Sequence, residues 1–158
     1  MKKIFLTIAT AALFTVNAFA ADGGKRDGGT NVSYIALHGF TADFADATDV
    51  SWTVTKNTQK ATFTVDGVQK TAFYNLQGEF LGTTQRVDNK AIPAKALAQI
   101  TKEYKGYKVG EVIVYQANTD INDTIDPTSY FVDLKNDNHE VLVRITQQAN
   151  IEFFQQVK

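Results

Sequence analysis

The chain has 158 residues, 44% of them hydrophobic, with 16 basic and 17 acidic side chains and no cysteine. That length suits one ordinary domain, and the near-balance of charge gives no electrostatic reason to expect nucleic acid or an anionic membrane as a partner. Without cysteine there are no disulfides, no thiolate metal sites and no lipid attachment through sulfur, so stability must come from burial.

Lys2 and Lys3, the apolar run from Ile4 to Val16, and Ala18-Phe19-Ala20 have the three parts of an export signal. The run falls short of the ~20 residues that a membrane span needs. Cleavage after Ala20 is expected, leaving a periplasmic or secreted protein of residues 21–158 with no membrane insertion. Loss of Lys2 and Lys3 from the 16 basic residues leaves 14 against 17 acidic, a net charge of −3. Residues 21–30, ADGGKRDGGT, hold four glycines and no large apolar group, the composition of a disordered leader. No strand precedes these glycines and their spacing is wrong for a phosphate loop.

From Asn31 to Asp49, Leu37, Phe40 and Phe44 recur at i, i+3 and i+7, one stripe of a helix. Gly39 weakens that helix by roughly 1 kcal/mol relative to alanine, and His38, one position off the stripe, reads as a surface or boundary residue. Trp52 to Val87 then reads as four short antiparallel strands. Trp52, Val54, Ala61, Phe63 and Val65 alternate with Thr53, Thr55, Thr62 and Thr64, a two-residue period that separates an apolar side from a threonine side. Asp66-Gly67 and Gln77-Gly78 supply reversals.

After a polar connection, Ala91-Ile92-Pro93 opens a second helix of about four turns. Leu97, Ile100 and Tyr104 form its stripe, and Gly106 is placed to cap it. Tyr107 to Gln116 is the next strand, with Val109, Ile113 and Tyr115 on one side and Val112 and Val114 on the other. A polar loop, residues 117–127, leads to three further strands at Ser129 to Leu134, Glu140 to Thr146 and Asn150 to Gln156. Helix-then-four-strands thus occurs twice, in halves of about 31–87 and 88–158. The expected fold is α+β: a duplicated unit with both helices on one face of an antiparallel sheet and the other face open.

Phe40 and Phe44 ahead of Val50-Ser51-Trp52, then Ala61-Thr62-Phe63, Ala72 to Phe80 (AFYNLQGEF), Ile92-Pro93-Ala94-Lys95-Ala96 and Tyr104-Lys105-Gly106-Tyr107 follow one another in a recognisable order. In these landmarks, across residues 36–157, the chain resembles the beta-lactamase-inhibitor-like, PepSY-like periplasmic proteins of Bacteroidetes. The resemblance implies an α+β fold and an exported protein without enzymatic activity, and it carries no catalytic residue. Asn75 departs from the aspartate usual in that family's turn, and Ala149 stands where a second turn glycine is common.

The chemical inventory points the same way. The mature serines are Ser33, Ser51 and Ser129, none in a Gly-x-Ser-x-Gly elbow. His38 and His139 form no zinc-binding pair. Asp120, Asn122, Thr124 and Asp126 alternate as calcium ligands can, but Ile125 replaces the required glycine and Phe131 the bidentate glutamate. A mobile loop without tight metal binding is therefore expected, and no cofactor.

The expected core is Trp52, Phe63, Leu97, Ile100, Val141, Val143 and Ile145. By parity the opposite face then carries Phe73, Phe131, Asp133, Leu142, Arg144 and Phe154. Aromatic residues around an arginine are enriched at the centres of protein interfaces, so this face is the candidate site for a protein partner or for self-association, without catalysis. The alternative is a small-ligand carrier or small enzyme with a pocket between helices and sheet.

Overall fold

The computed structural model describes residues 31–121 and 124–158; the export signal and leader expected above lie outside them. Ser33 is extended, and its hydroxyl accepts a hydrogen bond from the Ala36 N–H at 3.2 Å, capping helix α1 (Tyr34–Asp43). Its own N–H donates to Gln59 Oε1 at 2.7 Å, while Gln59 Nε2 donates to Ser33 Oγ at 3.1 Å and to the Asn75 carbonyl at 2.8 Å. Gln59 is almost fully buried, so this network ties the start of α1 to the sheet.

That tie sets the roll of the helix. Ala36 and Phe40 are buried and Phe44 is half-buried, whereas Leu37 is exposed. The buried stripe runs through 36, 40 and 44, one step round from the expected start at Leu37. Gly78 allows the close approach, because a Cβ there would lie 2.8 Å from the Ile35 Cβ and 2.8 Å from Ser33 Oγ.

The second helix repeats the pattern. Pro93 disfavours a helical residue before it, so Asn89–Ala91 forms only a 3₁₀ turn and α2 spans Ala94–Glu103, shorter than the four turns expected. Ala96 and Ile100 are buried and Tyr104 packs beside them, while Leu97 is 41% exposed, which corrects its assignment to the core. Here the roll is held by Lys95 Nζ, which donates to the Gln148 carbonyl (3.0 Å) and Asn150 Oδ1 (2.7 Å), and by Gln99 Oε1, which accepts from the Ile151 N–H (3.1 Å). Gly106, at φ +84°, turns the chain out of α2 into the next strand.

Eight strands form one antiparallel sheet in sequence order: β1 (Thr48–Val54), β2 (Gln59–Val65), β3 (Val68–Tyr74), β4 (Phe80–Val87), β5 (Lys108–Ala117), β6 (Thr128–Lys135), β7 (Glu140–Ile145) and β8 (Ile151–Gln156). Asp66 and Gly67, both at positive φ, make the β2–β3 reversal as expected. At the next turn Asn75 Oδ1 accepts from the Glu79 N–H at 2.9 Å and its amide donates to the Glu79 carboxylate at 2.5 Å. An aspartate could not make the second bond, and its charge would face Glu79.

Register shifts interrupt β1–β2, β3–β4, β5–β6 and β7–β8. The third changes a sequence expectation. An irregularity between Val109 and Val112 advances the side-chain phase, so Val109 packs with Val112 in the core instead of beside Ile113 and Tyr115.

Two clusters make the core. One joins α1 to Ala61, Phe63, Ala72 and Tyr74, with Trp52 half-buried at its margin; the other joins α2 to Val112, Val132, Leu134, Val141, Val143 and Ile145.

Candidate functional site

Directly opposed residues in adjacent strands place their side chains on the same face. The register opposes Arg86 to Ile113, Ile113 to Phe131, Phe131 to Arg144 and Arg144 to Glu152, one row across β4 to β8. The next row sets Asp133 against Leu142, and the one after sets Lys135 against Glu140. Five of the six candidate residues therefore gather on β6, β7 and β8: Phe131, Asp133, Leu142, Arg144 and Phe154. Phe131 and Phe154 meet edge to face with centroids 5.0 Å apart.

Phe73 does not join them. It lies on β3, three strands from Phe131, about 14 Å at about 4.8 Å per strand, and opposes Lys60 and Gly82. It is also buried, 4% exposed, where an open surface was expected. The Tyr115 ring occupies the space that a Gly82 side chain would take, and its hydroxyl donates to the Leu81 carbonyl at 2.8 Å. Phe73 thus lies across the ladder from a glycine whose side-chain space is taken by a tyrosine.

Exposure of the other five also needs correction. Phe131, Leu142 and Asp133 are buried, and Arg144 and Phe154 are half-buried. Their row alternates with the row of the α2 cluster, but side chains on one sheet face also pack on each other. Phe153, on the opposite parity to Phe154, is 62% exposed: it opposes Val143, but β8 is an edge strand with no further strand beside it.

The polar groups on this side are tightly paired. Arg144 donates to Asp126 Oδ2 at 2.9 Å and to Ser129 Oγ at 3.1 Å, and its other terminal nitrogen lies 3.8 Å from Glu152. Asp126, one of the loop carboxylates considered for calcium, is therefore held by an arginine. Asn122 and Asp123 of that loop lie outside the described residues. Lys135 Nζ bridges Glu140 (2.8 Å) and Asp133 Oδ2 (3.0 Å). Those bonds, to Glu140 first and then to Asp133, raise the Lys135 ammonium above its ordinary pKa.

Next to this triad runs a groove of about 290 Å³, with Ile113, Phe131 and Leu142 as apolar wall and Asp133, Lys135 and Glu140 as polar wall. Sequence reasoning missed Glu111, Ile113 and Tyr115 as members of this face. The alternation of β5 was legible only from Val112 on; the irregularity at Gly110 put Val109 out of that phase and hid the link to the following strands.

Solved structures share this architecture. A BLIP-like protein from Bacteroides fragilis superposes with a TM-score of 0.66 at 15% identity, over 82% of this chain and 89% of that one. The chain has the BLIP-like fold. A DUF2874 family protein from Bacteroides uniformis matches at TM-score 0.68 and 15% identity, over 80% of this chain and 90% of that one. A protein from Bacteroides eggerthii named as "putative periplasmic" matches at TM-score 0.68 and 12% identity, over 80% of this chain and 89% of that one. No protein-family model matches the sequence, and no curated protein does. Among the described residues no helix is long and apolar enough to cross a membrane.

Proposed function

We propose that this protein is an exported, non-enzymatic, inhibitor-like module that binds another protein through the sheet face opposite its helices. In this reading the two halves are duplicates of one helix-plus-four-strand unit, and both helices cover the same face. The cross-strand register supports a shared helix face: Ala72 of the α1 cluster opposes Thr83, and Val87, in the same phase of β4, opposes Val112, whose row continues to Val132 and Val143 of the α2 cluster. The row that contains Ile113, Phe131 and Arg144 then belongs to the other face.

The observation that carries the proposal is the composition of that second face. An apolar centre of Ile113, Phe131, Leu142 and Phe154 is bordered by paired charged groups, the pattern of an interface core with a polar rim. The BLIP-like neighbour adds an inhibitor-type relative of the same fold, and the neighbour from B. eggerthii supports a periplasmic location. The helix–sheet interior, where a carrier or small enzyme would need its pocket, is occupied by the two hydrophobic clusters.

The test compares baits of the mature domain in periplasmic extract. An Arg144→Ala, Phe154→Ser double variant is set against a Leu37→Ser control on the exposed side of α1. Partners captured by wild type and control but lost by the double variant are expected. Equal capture by all three, with unchanged melting curves, would refute this assignment of the face.

A further inference from the structure

Among the described residues Asp133 is the buried charged side chain with an oxygen left without a hydrogen-bond partner. Only 8% of it is exposed, and its Oδ1 is buried without a hydrogen-bond partner. A buried carboxylate oxygen left unpaired costs more than a neutral one, yet the strand next to it is shaped to admit it. Gly110 sits where β5 loses register, and a Cβ there would lie only 2.5 Å from Asp133 Oδ2. Any other residue at that position would push the carboxylate away.

Asp133 also lines the groove described above, whose volume of about 290 Å³ lies at the bottom of the range for small-molecule pockets. That is room for one side chain rather than a metabolite. The charged side chains lining it are Glu111, Asp133 and Glu140 against Lys135, and Glu111 is paired with Arg86 from beside the groove. One carboxylate charge is in excess. Lys135, the cation that serves the other two carboxylates, has a half-exposed side chain and can swing out into water.

Resting on the proposed protein-binding face, we infer that this groove is a socket for an arginine side chain of the partner protein. The aliphatic stem would lie along Ile113, Phe131 and Leu142, as long basic side chains do on apolar surface. The guanidinium would reach the Asp133 and Glu140 carboxylates in place of the Lys135 ammonium. Five donors in a planar fork serve two carboxylates better than three donors on a point charge.

The test is a titration of the ¹⁵N-labelled mature protein with N-acetyl-arginine amide, followed by NMR, with the uncharged N-acetyl-citrulline amide as control. Saturable shifts at Gly110, Asp133, Lys135 and Glu140 are expected with the arginine compound alone. Lys135→Gln, which removes the resident cation, should tighten binding at least threefold. Asp133→Asn and, separately, Glu140→Gln should each weaken it at least tenfold while the rest of the spectrum is preserved.

Failure of the arginine compound to saturate, equal shifts with citrulline, or wild-type affinity in both carboxylate variants would overturn the socket. Because this titration needs no partner protein, its failure is distinct from failure of the binding face. If the Arg144→Ala, Phe154→Ser bait still loses the wild type's partners, the face stands without the socket.

Discussion

Around α1 the core is aromatic. Phe40 meets Phe44, Trp52 and Phe63 at centroid distances of 5.2, 5.4 and 5.0 Å, and Tyr74 meets Trp52 and Phe80. Around α2 it is aliphatic, with Ile92, Ile100, Leu134, Ile145 and four valines in one cluster. Large rings fill the first half with few residues because Ala36, Ala61 and Ala72 give them room; branched side chains on the strands fill the second. The other side of the sheet differs as well. The first half presents threonines, such as Thr62 and Thr71 with their hydroxyls 3.3 Å apart, whereas the second presents Phe131, Leu142, Asp133 and Arg144. One architecture therefore carries two divisions of labour, and the groups suited to recognition lie on the half with the plainer core.

The largest effect should come from the aromatic cluster. Phe63→Ala is expected to cost about 3–5 kcal/mol, and Ile100→Ala about 2–5 kcal/mol. Trp52→Ala should cost less than Phe63→Ala because its ring is only half-buried. Urea midpoints of the three variants test the order; a Trp52 variant weaker than the Phe63 variant would break the picture of rings centred on Phe63.

Gln59→Leu should come next. It strands the Ser33 N–H and leaves the Asn75 carbonyl with only its bond from the Gly78 N–H, at about 1–3 kcal/mol. Hydrogen exchange sharpens the contrast: α1 amides should open faster while α2, held by Lys95 and Gln99, stays protected.

Tyr74→Phe should stabilise by about 1 kcal/mol, since the Tyr74 hydroxyl is buried without a partner. Burial, reinforced by the charge of Asp43, raises its pKa in the folded state. Above about pH 10 the unfolded chain loses this proton and the folded one keeps it. Stability is therefore full below about pH 10 and falls as the pH rises through it, by up to about 1.4 kcal/mol per unit. Denaturant midpoints between pH 9 and 11 should fall less steeply in the phenylalanine variant.

The smallest effect concerns the β7–β8 turn. Ala149 sits at φ +58° and packs against the α2 cluster. Ala149→Gly relieves about 1–2 kcal/mol of backbone strain and loses part of it to unfolded-chain entropy, for a net gain of about 0.5 kcal/mol. A lowered melting temperature would show that the methyl's packing outweighs the strain.

The sequence by itself determined the local structure. Alternating apolar and threonine residues marked β1 and β2, Asp66-Gly67 marked a reversal, and the parity of Val141, Val143 and Ile145 set them apart from Leu142 and Arg144. Such signals are short-range, written in periods of two and in residues that tolerate positive φ.

Other features were decided only by tertiary structure. Leu97 and Leu37 have the spacing of core residues, but hydrogen bonds from Gln59, Lys95 and Gln99 roll each helix so that an alanine faces the sheet instead. The irregularity at Gly110 moved Val109 to the core side, and its signal, one glycine in a strand, is ambiguous until the partner strand is known. Phe73 and Phe131 are buried where an open surface was expected, and Phe131 packs edge to face on Phe154, a contact between separate strands. The gathering of Asp133, Lys135 and Glu140 beside an apolar groove likewise follows from cross-strand register. Register pairs residues far apart in the chain, and no local pattern contains it.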